Sequence, residues 1–71
     1  MMAEIAPETV TKRRVLKAFK EAAPADLNIS DAAKRAGVSI ATASTYIKVL
    51  VAEGALEESR RIGNAKLFRI R

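Results

Sequence analysis

The sequence predicts a small α+β domain in which three helices are followed by a C-terminal β-hairpin. Three observations carry that prediction. Apolar residues recur at spacings of three and four through the first two-thirds of the chain, the period of a helix with one buried face. The glycines fall at Gly37, Gly54 and Gly63, each where a periodic stretch ends or a tight turn is needed. After Gly54 the helical period gives way to two short stretches of extended character.

At 71 residues the chain holds one domain with one core. Aromatic residues make up only 4%, namely Phe19, Tyr46 and Phe68, so the core must be aliphatic and alanine-rich. Residues 1–7 lack periodicity and are expected to be a disordered N-terminus, with the domain proper over 8–71. Val15, Leu16, Phe19, Ala22 and Ala23 place a helix over 8–22. Pro7 is suited to its start, and Pro24 pushes the residue before it out of the α region. The stretch Leu27-Asn28-Ile29 is compatible with a loop or with a brief extended segment that pairs with a later strand.

Ser30 is the expected N-cap of a second, short helix, with Asp31 complementing the positive helix end. Gly37 then reads as a left-handed C′ residue. Ser39 offers a second N-cap, and the helix it opens runs from Ile40 to Glu53 with Ala43, Ile47, Leu50 and Val51 on its inner stripe. Gly54 ends that helix in the same way. Residues 55–61 and 65–71 are the expected strands, joined by Ile62-Gly63-Asn64, where glycine and asparagine supply positive φ. Leu56, Phe68 and Ile70 are expected to face the helices.

The stretch Ser30 to Leu56 therefore reads as a helix-turn-helix. Ala33 is small where the two helices cross, Gly37 makes the turn, and Val38 plugs the gap. Ile47 and Leu50 anchor the second helix of the pair. Ser39, Ile40, Ala41, Thr42, Ser44, Thr45 and Lys48 are left on or near the outward face.

The run Ala-Gly-Val-Ser-x-x-Thr-x-Ser-x-Tyr-Ile-x-x-Leu, from Ala36 to Leu50, resembles the helix-turn-helix of winged-helix transcriptional regulators. The closing Arg61-x-Gly63-Asn64-Ala65-Lys66-Leu67-Phe68-Arg69-Ile70 is similar to the wing hairpin of MarR- and ArsR-like proteins. The resemblance implies a winged helix-turn-helix that binds double-stranded DNA and regulates transcription, with the third helix in the major groove and the wing on the backbone. It implies a DNA-contacting set of Ser39, Ile40, Ala41, Thr42, Ser44, Thr45 and Lys48 on the helix and Arg60, Arg61, Asn64 and Lys66 on the wing. The sequence departs from the pattern where such regulators often carry arginine, at Ile40 and Thr45. With Lys48 the one basic residue of the third helix, recognition falls to hydroxyls, methyl contacts and backbone charge.

Charge points the same way. Thirteen Lys and Arg against eight Asp and Glu give +5, a balance that attracts polyanions. From Ser59 onward Arg60, Arg61, Lys66, Arg69 and Arg71 occur without an acid, which predicts a positive field concentrated at the C-terminal end. Lys12, Arg13, Arg14, Lys17 and Lys20 on the first helix read as a solvated face rather than a backbone or dimer contact. Lys34 and Arg35 are split between a solvated face and phosphate contact.

Other classes are excluded or set aside. Without cysteine or histidine there is no disulfide framework, no thiolate zinc site and no histidine base. No phosphate loop or nucleophile motif is present, and Glu57 and Glu58 face opposite sides of a strand. The expectation is a non-enzymatic protein without cofactor or metal. The longest apolar run is too short to cross a bilayer, which predicts no membrane partner and a cytoplasmic, nucleoid-associated placement. A homodimer is a further option. Two alternatives to a regulator are kept: a sequence-indifferent architectural DNA-binding protein, and a winged-helix protein-interaction module.

Overall fold

The computed structural model of the protein describes residues 7–71. In chain order the elements are α1 (Pro7–Ala22), β1 (Leu27–Asn28), α2 (Ile29–Ala36), α3 (Ile40–Ala52), β2 (Leu56–Ile62) and β3 (Ala65–Ile70). The expected order of three helices and a hairpin is what forms, with the short strand β1 added between α1 and α2. Of the segment 1–7 expected to lack order, residues 1–6 lie outside the described residues, and α1 opens at Pro7.

One core joins all the helices and the sheet. Val15, Ala18 and Phe19 of α1 meet Ala32, Ala33 and Ala36 of α2, Ala43, Ile47 and Leu50 of α3, and Leu27, Leu56 and Phe68 of the sheet. Phe19 is fully buried and is the largest side chain at the centre. Five of these twelve positions are alanine, which lets the helices approach closely around Phe19, with Phe68 closing the core from the sheet. Val38 is half-buried against the core, as a plug between α2 and α3 must be.

The turn between α2 and α3 is built as the sequence implies. Gly37 has φ 71° and ψ 36°, the left-handed region. Its N–H donates to Lys34 O at 3.3 Å, and the N–H of Val38 donates to Ala33 O at 3.0 Å. These two bonds satisfy carbonyls that the helix end would otherwise leave open. The same pair of bonds closes α3, from Gly54 to Val51 O and from Ala55 to Leu50 O. Ser39 caps α3, its Oγ accepting from the Thr42 N–H at 3.1 Å.

Four expectations need correction. Ser30 is not the cap of α2; Asn28 is, with Oδ1 accepting from the Asp31 N–H at 2.7 Å, and the helix begins at Ile29. Asparagine and serine two residues apart compete for this role, and Asn28 wins because its backbone is already extended in β1 (φ −81°, ψ 171°). α3 ends at Ala52, and Glu53 is its C-cap. Val51 is not on the inner stripe but 37% exposed at the edge of α3. In the hairpin turn only Gly63 has positive φ (59°), and Asn64 does not. Positive φ at the first central position alone is the type II′ pattern.

The sheet order is β1-β3-β2, antiparallel throughout, with Leu27 opposite Phe68 and Leu56 opposite Ile70. The register slips between Glu58 and Arg60, which leaves Ser59 as an extra residue in a β-bulge. Glu58 pairs with Phe68, Arg60 with Leu67, Arg61 with Lys66, and Ile62 with Ala65. Cross-strand partners share a face. Arg61 and Lys66 therefore lie on the face of Phe68, toward the helices, and Arg60 lies on the opposite face.

Candidate nucleic-acid interface

A groove separates α3 from the hairpin. Its outer part, about 480 Å³, is lined by Asn28, Ile29 and Ser30 at the start of α2, by Ile40, and by Asn64, Ala65 and Lys66 at the hairpin tip. Its inner part, about 270 Å³, shares Ile29 and Lys66 and adds Ser44, Ile47, Lys48, Val51, Glu58 and Phe68. The inward-facing sides of two elements distant in sequence thus enclose one trough, floored by Phe68 and Ile47 from the core.

The residues expected at the site divide into three sets. Ile40, Ser44, Lys48, Asn64 and Lys66 line the groove, and Arg61, the cross-strand partner of Lys66, lies on the same face of the hairpin without lining it. Ser39, Ala41 and Thr45 are exposed and Thr42 half-buried on the rest of the α3 surface. Ile40 is 58% exposed, so it is no satellite of the core. Arg60 stands apart. Its Nε donates to Asp26 Oδ2 at 2.9 Å on the far face of the hairpin.

Hydroxyl chemistry on α3 is partly committed. Ser39 Oγ accepts from the Thr42 backbone and donates to Thr42 Oγ1 at 2.9 Å. Thr42 accepts there and keeps its proton for an outside acceptor. Thr45 Oγ1 donates to Ala41 O at 3.1 Å, which leaves its lone pairs for an outside donor.

Asp26 organises the back of the hairpin. It accepts from Ser59 Oγ at 2.7 Å and from Arg60, while Ser59 Oγ also lies 3.2 Å from Leu67 O. The Ser59 hydrogen bond, then the Arg60 contacts, hold the Asp26 carboxyl below the ordinary carboxylate range. The bulged residue is thereby pinned to the loop before β1, which fixes the arginine register beyond it.

Ion pairs redistribute the charge that the sequence places at the C-terminal end. Arg60 is neutralised by Asp26, and Arg69 by Glu57 at 2.8 Å. Lys12 pairs with Glu53 at 2.8 Å and ties α1 to the end of α3. Among the described residues Lys48, Arg61 and Lys66 make no ion pair. Sequence reasoning missed Asn28, Ile29, Ser30, Val51, Glu58 and Ala65 as groove residues, and placed Ile47 and Phe68 in the core alone. Glu58 alone left a signal, since the alternation from Leu56 puts it on the inner face.

A helix-turn-helix whose second helix is exposed beside a β-hairpin across an open groove defines the class of winged helix-turn-helix proteins. The chain belongs to the IclR helix-turn-helix domain family, which matches residues 14–60, well over half of its length. That family is a winged one of DNA-binding transcription regulators, in line with the resemblance read from residues 36–70. No curated protein sequence matches the chain. Among solved structures it is similar to human N-acetylserotonin methyltransferase in complex with SAM, with a TM-score of 0.71 and 19% identity. That likeness covers 90% of this chain and 19% of the methyltransferase, and it concerns the fold alone. Among the described residues no helix is long and apolar enough to cross a membrane.

Proposed function

We propose that the domain over 8–71 binds double-stranded DNA as a non-enzymatic transcription regulator, with α3 in the major groove and the wing along the adjacent backbone. One observation carries this reading: unpaired Lys48 and Lys66 line the groove between α3 and the wing, with unpaired Arg61 beside Lys66 on the same face of the hairpin, and the Thr42 and Thr45 hydroxyls lie on the adjoining surface of α3. The cations supply affinity by displacing counterions. Thr42 as donor and Thr45 as acceptor supply base readout, and Ser44 and Ile40 add hydroxyl and methyl contacts from the groove side. Ser39 acts through its cap, Ala41 permits close approach, and Asn64 at the wing tip reaches the sugar-phosphate edge. Arg60 contributes through the bulge rather than through a phosphate. Glu58, an acid inside the groove, keeps the nonspecific affinity down.

Two variants test the reading in one titration, against a selected site and random duplexes at two salt concentrations. Thr42→Ala/Ser44→Ala/Thr45→Ala removes three hydroxyls from a helix that alanine favours. Its affinity for the selected site should fall toward the random level, since each lost base contact costs about 1–3 kcal/mol, with the salt slope unchanged. Arg61→Ala/Lys66→Ala should weaken every duplex alike and make the slope shallower by about 2. A triple variant that keeps its preference places recognition elsewhere. Normal affinity for every duplex favours an architectural protein, and no affinity before or after mutation favours an interaction module.

A further inference from the structure

The strongest unpaired positive charge lies away from the groove, on α1 and α2. Arg13, Arg14, Lys17, Lys20, Lys34 and Arg35 are all exposed, and among the described residues none makes an ion pair. Arg14 and Lys17 meet Arg35 of the neighbouring helix around a cleft of about 200 Å³, with Glu21 beside them. Arg13 and Lys20 continue the patch along the outer side of α1, flanking Leu16. Like charges brought together from two helices oppose folding, so this convergence has no structural benefit of its own. It suits an anion with several charges at regular spacing. Arg13 to Lys20 spans about 10 Å of helix, roughly the axial rise across four successive phosphates on one strand.

The direction of this face decides the partner. α1 and α3 bury stripes that meet in one core, Val15, Ala18 and Phe19 on one side and Ala43, Ile47 and Leu50 on the other. None of the cations of the α1–α2 patch lines either part of the α3–wing groove. A duplex seated in that groove therefore leaves the cations of the α1–α2 patch uncovered by the groove itself.

We propose that the α1–α2 face is a second DNA-binding surface, which takes the backbone of a second duplex without reading sequence, so that one molecule bridges two duplexes. This rests on the DNA-binding role of the α3–wing groove, and the experiment separates the two. Full-length protein is bound to an immobilised duplex carrying the selected site, and capture of a labelled random duplex is measured at low salt. The wild type should capture it. Arg14→Gln/Lys17→Gln/Lys20→Gln/Arg35→Gln should keep its affinity for the immobilised site within about twofold, while second-duplex capture falls about tenfold or more, as expected when several phosphate contacts are lost. Should that variant unfold by circular dichroism, Arg13→Gln/Lys20→Gln, confined to the outer side of α1, is read in the same assay with the same expectation in direction. Absence of capture by the wild type overturns the proposal, as does undiminished capture by the variants. Loss of both affinities together also overturns it, because the face would then be a flank of one binding site. Arg61→Ala/Lys66→Ala serves as the control on the groove: if it leaves the immobilised site fully bound, the groove reading fails on its own.

Discussion

Asp26 is the residue on which the back of the wing depends. Its carboxylate accepts from Ser59 and Arg60, and these partners lower its pKa in the fold. A depressed carboxylate stabilises the fold above the ordinary pKa of about 3.9 and loses that contribution as pH falls through the folded value. Asp26→Asn should therefore melt below the wild type at pH 7, and the gap should close as pH is lowered beneath about 4. Thermal melts of both proteins between pH 2 and 7 check this; a gap that stays constant would assign the effect to packing rather than charge. None of this was legible from the sequence. Asp26 sits in what reads as a connector, and its partners lie 33 and 34 positions away. Arg60 and Arg61 look equivalent as a dipeptide, and only the nonlocal register separates them.

At the scale of elements, the parts governed by local signals were readable and those governed by distant pairing were not. Ser39 and Gly37 bracket the turn between α2 and α3 because capping and left-handed φ are properties of a few neighbouring residues. The inner positions Ala43, Ile47 and Leu50 follow from helical period. β1 is only two residues long and exists because β3 offers it a partner, so its own sequence could leave a loop and a strand equally open. Val51 fits the apolar pattern yet faces the groove, since the wing packs along only part of α3. For Gly37 the structure separates strain from crowding. A Cβ added there meets no atom within 4 Å, so the only cost is the left-handed backbone. Gly37→Ala should thus cost about 1 kcal/mol and lower the melting temperature by about 4–8 °C in a domain of this size. A larger loss would mean that the turn also needs space, and no loss would mean that the turn tolerates another conformation.

For the whole molecule, the sequence suggested one positive end, and the fold gives two positive faces with a neutralised strand region between them. Arg60 and Arg69 are neutralised where they hold the sheet, whereas Arg13, Arg14, Lys17, Lys20, Lys34 and Arg35 of α1 and α2 remain open to solvent. The groove was legible as a helix plus a basic hairpin, and the α1 cations were legible as a solvated face, but their convergence with Arg35 of α2 was not. Helical spacing alone does not tell which neighbouring helix a cation converges with. The bulge at Ser59 also bears on how molecules meet one another. β2 is the outer strand of the sheet and its free edge carries unpaired backbone groups, the template on which strands of separate chains can join. A kinked edge flanked by Glu57, Glu58, Arg60 and Arg61 is a poor template, so the protein should remain dispersed at high concentration. Deleting Ser59 would flatten that edge while leaving Arg60 opposite Leu67 and Arg61 opposite Lys66. The shortened chain should then self-associate as its concentration rises, detectable by light scattering, whereas the native wing keeps its open edge to itself.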